Sequence, residues 1–314
     1  MSQKPWLSAL CDAAIILLML GVVNGFSITS RPPTVLTRRQ SERPYRFVRR
    51  RPCAIVPPKR ASNTLLRAQD EEESEVDIEE GEGIDESIEE EYEEEYVVNI
   101  PEINGVVVGE ASLVVLAFLA TQITGTPNYG FGPGISFDLS AIREGFLSVL
   151  PMFLFACVLE VIEKYVPALQ DVSKAAQRSS LVMFGETFKP GIIFLLSLSM
   201  SLSAGIGEEL WFRGVMQYEL VEKYGSMVGL GVTSVIFGLL HAVTPLYLAS
   251  ASLASTYFGW LYLSTKNLVV PIVAHTVYDV CAFMHGHWTT TTKLNKAERD
   301  AVLNWVAPYE SKDA

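Results

Sequence analysis

Past residue 100 the chain becomes a series of apolar runs of membrane length separated by short polar breaks. The runs are Val106 to Ile123, Phe146 to Val161, Gly191 to Ile206, Met227 to His241, Leu246 to Ser264 and Leu268 to Phe283. A stretch of about 20 apolar residues matches the hydrocarbon thickness of a bilayer, so the pattern predicts about six spanning helices. The third run continues through Met216 and then as an amphipathic extension to Tyr224. Breaks fall at Gly125-Thr126-Pro127, Lys189-Pro190-Gly191, Tyr224-Gly225 and Lys266-Asn267, which are turn-forming combinations. The expected fold class is an all-α, polytopic transmembrane helical bundle with a disordered N-terminal region. The stretch from Asn128 to Arg143 reads as a loop, and Gln170 to Ser180 as a polar connector or surface helix. Residues 103–185 form accessory helices on this reading, 190–285 a core, and 286–314 a C-terminal tail.

Composition changes the picture at the N-terminus. Mean hydropathy is positive, +0.26, although the formal net charge is −12. Both hold only because charge and apolarity are segregated. Asp70 to Glu95 carries seventeen Asp/Glu and no Lys or Arg, whereas Phe26 to Ala68 carries eleven Lys/Arg against the single acid Glu42. The net charge describes an arm and not the fold. Residues 1–25, with Lys4, an apolar core and a small-residue end at Asn24-Gly25, have the form of a signal peptide, with a first membrane anchor as the competing reading. Residues 26–68 have the Arg-, Ser- and Pro-rich composition of a transit peptide. A Gly25-Phe26 junction between two such segments resembles the bipartite leader of proteins sent to secondary plastids in algae such as diatoms. A basic arm of an endomembrane protein is the alternative. Residues 69–97 read as a solvated, self-repelling acidic tail.

Four cysteines, Cys11, Cys53, Cys157 and Cys281, show no short pairing pattern, which argues against a disulfide framework or a cysteine metal site. Cys157 and Cys281 are expected as small buried hydrophobes. Glu110, Glu160, Glu163 and Lys164 lie near segment ends, where snorkelling to the interface explains them.

Other polar groups are harder to place. The third run ends in Glu208, Glu209 and Arg213, the fourth in His241, and the sixth holds His275 and Asp279. An ionisable side chain at the bilayer centre costs roughly 2.5–3.5 kcal/mol on insertion scales, so this set is tolerable only if its members pair or face a hydrated cavity. Glu209 and Arg213 are four apart on one helical face, in the favourable order for an ion pair. His275 and Asp279 share a face by the same spacing. Glu208 lies about 100° around the helix from Glu209, so the two acids cannot do one job: one holds Arg213 while the other points into the cavity. The competing reading is an interfacial helix end, since Gly191 to Glu208 already spans about 25 Å.

The ordered stretches EELWFR, FGLLH and HTVYD fit EExxxR, FxxxH and HxxxN/D on successive apolar segments. In this the chain resembles the CPBP family of intramembrane glutamic proteases, the CAAX prenyl protease 2, Abi or bacteriocin-processing type, over roughly Pro190 to His285. The resemblance implies a peptidase in which Glu208 activates a water and His241 holds or shares that water's proton. It implies that Glu209 and Arg213 brace the site as an ion pair, and that His275 stabilises the oxyanion, with Asp279 sharing that role. Such donors are worth about 3–4 kcal/mol each. An ionised Asp279 can only accept hydrogen bonds, so it would have to be protonated or act by orienting His275.

The expected function is an intramembrane endopeptidase without a cofactor, whose partners are the lipid bilayer and a peptide or protein substrate, including a membrane-anchored one. Zinc held by the two glutamates and two histidines ranks second, because Glu208 and Glu209 diverge and no HExxH pair occurs. A catalytically silent membrane scaffold with the same fold is the reading from another class. His285 and His287, placed just past the last helix, suit either a surface metal pair or a solvated loop. Phosphate-loop, serine-nucleophile and nucleic-acid-binding patterns are lacking.

Overall fold

The computed structural model describes residues 97–132 and 134–307; the stretches read as signal peptide, transit peptide and acidic tail, with Cys11 and Cys53, lie outside the described residues. Within them the fold is all-helical. Helix α1 (Ile100–Thr124) starts where the Asn99 side chain accepts from the Glu102 amide, with Pro in its first turn, and stops at Gly125 in the left-handed conformation. A short 3₁₀ turn (Pro127–Gly130) leads to α2 (Leu139–Leu147) and α3 (Leu150–Glu163). Asp138 caps α2, accepting from the Ala141 amide and from the Ser140 and Ser136 hydroxyls. Those bonds, Ser140's first, lower its pKa to about 2.

Helix α4 (Pro167–Phe184) covers the expected polar connector. Helix α5 (Pro190–Glu208) runs without a break into a π-helix (Glu209–Gln217) and then α6 (Tyr218–Tyr224). The remaining helices are α7 (Ser226–Leu240), α8 (Pro245–Thr265), α9 (Val269–Lys293) and α10 (Lys296–Leu303). The loop from 131 to 138 is pinned to the start of α9 by Asn267, which donates to the Ser136 carbonyl and accepts from the Ser136 amide.

All six apolar runs are helical, but the count of candidate spans is corrected. Among the described residues, four stretches are long and apolar enough to cross a membrane: Ile100–Thr124, Leu139–Glu163, Pro190–Tyr224 and Val269–Lys293. Helix α7 has 15 residues, about 22 Å of rise against a core of about 30 Å. Helix α8 has the length, but its Ser, Thr and Tyr residues dilute its apolarity. These four spans make the chain an integral membrane protein.

The core is mostly apolar, but it also encloses charged and polar side chains while large apolar ones face outward. Arg213 heads the fully buried side chains, with Glu209, Gln217 and Thr233 also at 0% exposure, whereas Leu139, Leu154 and Leu195 are exposed. That outer face suits lipid. Cys157 and Cys281 belong to it: both are exposed, correcting their expected burial, because with no partner in the core either small apolar side chain fits the lipid face. A second correction concerns the C-terminal end. Helix α9 runs on to Lys293, so His285 and His287 are helical and lie on different faces, His285 exposed and His287 buried against Ser180 Oγ at 3.1 Å.

Helix α5 packs between α1 and α9, and α9 also touches α2, α4 and α8. Two glycines permit this approach. A Cβ on Gly205 would overlap the Thr276 hydroxyl of α9, and one on Gly207 would overlap the Glu110 carbonyl of α1. Gly207→Val should therefore push α1 off α5. Overpacking of this kind costs about 1–3 kcal/mol, and thermal unfolding in detergent should show a midpoint several degrees lower; an unchanged midpoint contradicts the packing described.

Candidate active site

The side chains of the three motifs meet at one place inside the helix bundle. Glu208 ends α5, and its carboxylate lies between two imidazoles: Oε1 is 3.5 Å from His241 Nε2 and Oε2 is 3.7 Å from His275 Nε2. Glu209, one residue on, turns inward, where its Oε1 accepts from Arg213 Nη1 at 3.0 Å and from His275 Nδ1 at 2.8 Å. Adjacent acids thus have separate surroundings, as helical geometry requires.

The backbone that carries them departs from the expected α-helix. From Glu209 to Gln217 it is π-helical, and all nine residues are buried. π-Helices are rare, mostly single-turn insertions, and concentrate at functional sites. Here the wider turn aims Arg213 and Gln217 at α8. Arg213 Nη2 donates to the Ser255 carbonyl at 3.0 Å and to its hydroxyl at 2.9 Å, and Gln217 Nε2 donates to the Gly259 carbonyl at 3.0 Å. The four-residue spacing on each side makes a polar ladder. Phe237 and Phe258 present their rings to the guanidinium at 5.0 and 5.6 Å, completing the enclosure of Arg213.

Each imidazole is held at one nitrogen and stacked on a ring. His241 Nδ1 donates to the Phe237 carbonyl at 2.8 Å, and its ring stacks on Phe237 at 4.2 Å. That bond leaves Nε2 facing Glu208. His275 donates from Nδ1 to Glu209 and stacks on Phe258 at 4.8 Å, so its Nε2 also turns toward Glu208 and lies 3.4 Å from Asp279 Oδ2. The His241 and Asp279 side chains are 32% and 25% exposed, against 8% for Glu208 and 0% for Glu209, so the cluster is reached from outside beside His241 and Asp279.

Glu208, Glu209, Arg213, His241, His275 and Asp279 therefore come together, and His285 and His287 do not join them. Sequence reasoning missed three contributors. Ser255 and Phe258 come from α8, whose sequence gives no sign of a role. Glu110 is the correction to the snorkelling reading: it is 7% exposed, turned inward, and within hydrogen-bonding reach of Glu208. Its signal was available, a carboxylate in the interior of an apolar helix of 25 residues whose other acid, Glu102, sits in the first turn. Glu160 and Lys164 are exposed, in keeping with snorkelling. Among the described residues, no three His, Cys, Asp or Glu side chains are arranged to hold a metal ion together.

Residues 190–281 match the family described as "Type II CAAX prenyl endopeptidase Rce1-like", under a third of the chain. The chain is also similar to a protein of Bacillus subtilis (strain 168) named "Putative membrane peptidase YdiL", with 34% identity over 85 residues, 27% of this chain and 34% of that protein. It thus spans about a third of the length of the curated relative it matches. No solved structure matches. The matched residues include all three motifs and end just past Asp279.

Proposed function

We propose that the protein is an intramembrane endopeptidase of the CAAX prenyl protease type, in which Glu208 activates a water for attack on a peptide bond. The observation that carries this reading is the position of Glu208 between two imidazole Nε2 atoms at 3.5 and 3.7 Å, on a wall assembled from α5, α7 and α9. A similar stretch in a relative named as a membrane peptidase supports it.

The chemistry follows from which atoms face the cavity. Water lies against Glu208 and His241 Nε2, and its proton passes to the carboxylate as its oxygen attacks the scissile carbonyl carbon. The carbonyl oxygen gains the negative charge and lies against His275 Nε2. When the tetrahedral intermediate collapses, the C–N bond breaks and the proton held by Glu208 passes to the leaving nitrogen. One water is consumed, and a carboxylic acid and an amine are released. Asp279 acts by orienting His275, since its carboxylate lies 3.4 Å from that Nε2 and can accept but not stabilise an oxyanion. Glu209, Arg213 and Ser255 hold His275 from behind.

The substrate is a peptide segment that reaches a cavity in a membrane wall, prenylated or otherwise. A plastid membrane is the address we assign to the chain, on the composition of residues 1–68. Full-length protein in liposomes should cleave a pool of membrane-anchored peptides, with one new amine and one new carboxylate per cut by mass spectrometry. Activity should be unchanged after 1,10-phenanthroline treatment. Loss on chelation, restored by zinc, would favour the metal version. No cleavage, with Glu208→Gln still complementing a null mutant, would favour a scaffold.

A further inference from the structure

Glu110 is a carboxyl group at this cavity that the reaction above leaves unused. It sits ten residues into α1, and its own carbonyl lies so close to Gly207 that a Cβ there would overlap it. This contact sets α1 directly beside the Glu208 turn. The Glu110 side chain is within hydrogen-bonding reach of Glu208, and its Oε2 is shut off from solvent without a donor among the described residues. Glu208 from α5 and His275 and Asp279 from α9 are the charged groups close enough to act on it electrostatically. Glu209 and Arg213 of the π-helix lie behind Glu208. The charged groups of α4, which also touches α1, are engaged elsewhere, Lys174 with Asp171 and Arg178 with the Leu303 carbonyl.

Counting charge gives the group a state. Glu110, Glu208, Glu209 and Asp279 share the cavity with one fixed cation, Arg213, and two imidazoles. Even with both imidazoles protonated, four ionised carboxylates would leave an excess negative charge in a poorly hydrated site. Two carboxyls in contact do not both ionise under such conditions; they share a proton. Glu208 is the member with an imidazole near each of its oxygens, and Glu110 is the member with no ion pair among the described residues.

We propose that Glu110 is a positioning residue: a protonated carboxyl on α1 that donates its O–H to Glu208 and fixes the orientation in which Glu208 meets the water. This rests on the reading of Glu208 as the base. It adds a proton-bearing residue from α1, outside the three motifs and outside the matched residues 190–281. A neutral donor is what the position needs, so an amide should serve and an alkyl group should not.

The test uses full-length protein in liposomes and the pH dependence of kcat for peptide cleavage. Glu110→Gln keeps a neutral donor and should hold kcat within about threefold of the parent at neutral pH. Glu110→Leu removes it and should lose kcat by about 10²-fold with KM within twofold, the size of effect expected when a reacting group is misplaced by about 1 Å. On the alkaline side, the parent's kcat should fall as the shared proton is lost, whereas Glu110→Gln, which has no such proton, should stay flat further up. A merely structural role would not move that limb. Three results would each overturn the proposal: Gln as impaired as Leu, Leu as active as the parent, or superimposable pH profiles for Gln and the parent. If Glu110→Leu fails to fold, the pH profile of Glu110→Gln still decides. Glu208→Gln separates the two levels: its full activity would sink the base assignment itself, whereas an inactive Glu208→Gln alongside an unshifted Glu110→Gln profile would sink only the role of Glu110.

Discussion

Glu208→Gln should lower kcat for peptide cleavage by about 10²–10⁴-fold, the range that general acid–base groups supply. The amide keeps the shape of the side chain and its place between His241 and His275, but it cannot take a proton from water. KM should stay within about threefold, because substrate binding does not depend on the proton transfer. The thermal midpoint should not fall, since removing one of several carboxylates relieves crowding around Glu110. A variant with parental kcat, measured on protein whose unfolding transition matches the parent's, would remove Glu208 from the reaction.

The second large effect concerns stability. Arg213 is fully buried and satisfies Glu209 Oε1, the Ser255 carbonyl and the Ser255 hydroxyl together. Arg213→Met keeps much of the packing volume but leaves Glu209 ionised, buried and without its countercharge. Breaking a buried pair on one side costs about 3–5 kcal/mol, whereas removing both members is often close to neutral. Arg213→Met should therefore unfold far below the parent temperature in detergent. Glu209→Gln combined with Arg213→Met should recover most of the loss, because the amide oxygen still accepts from His275 Nδ1. Recovered stability without recovered activity would mark the ion pair as part of the working geometry of His275. A single Arg213→Met variant as stable as the parent would mean that the buried pair is not formed.

Much of the fold was legible because membrane helices announce themselves by length and apolarity. The six runs are six helical regions, and the Gly and Pro breaks mark their ends. The number of spans was not legible, because α7 and α8 differ from the others in length and polarity only by degree. The site was legible where spacing carries geometry. Adjacent Glu208 and Glu209 had to diverge, and four-residue spacing put Glu209 with Arg213. The π-helix was invisible, since local propensity does not distinguish it from an α-helix; it goes with the polar ladder from Arg213 and Gln217 to α8. Ser255 and Phe258 were silent for a similar reason: a serine and an aromatic in an apolar helix are ordinary until a guanidinium and an imidazole are set against them. Glu110 was different. Its charge was conspicuous, but a position ten residues into a helix is compatible with either an interface or a cavity, and only the close pass of Gly207 against α1 decides between them.

The central claim is that Glu208 and His241, on separate helices, act on a single water. Measuring kcat/KM for Glu208→Gln, His241→Ala and the double variant in one liposome preparation tests it most directly. If both residues serve one proton transfer, the double variant should be no slower than the slower single variant, because the second substitution removes a partner already idle. Penalties that multiply in the double variant, or two single variants that cleave at the parental rate, would contradict it.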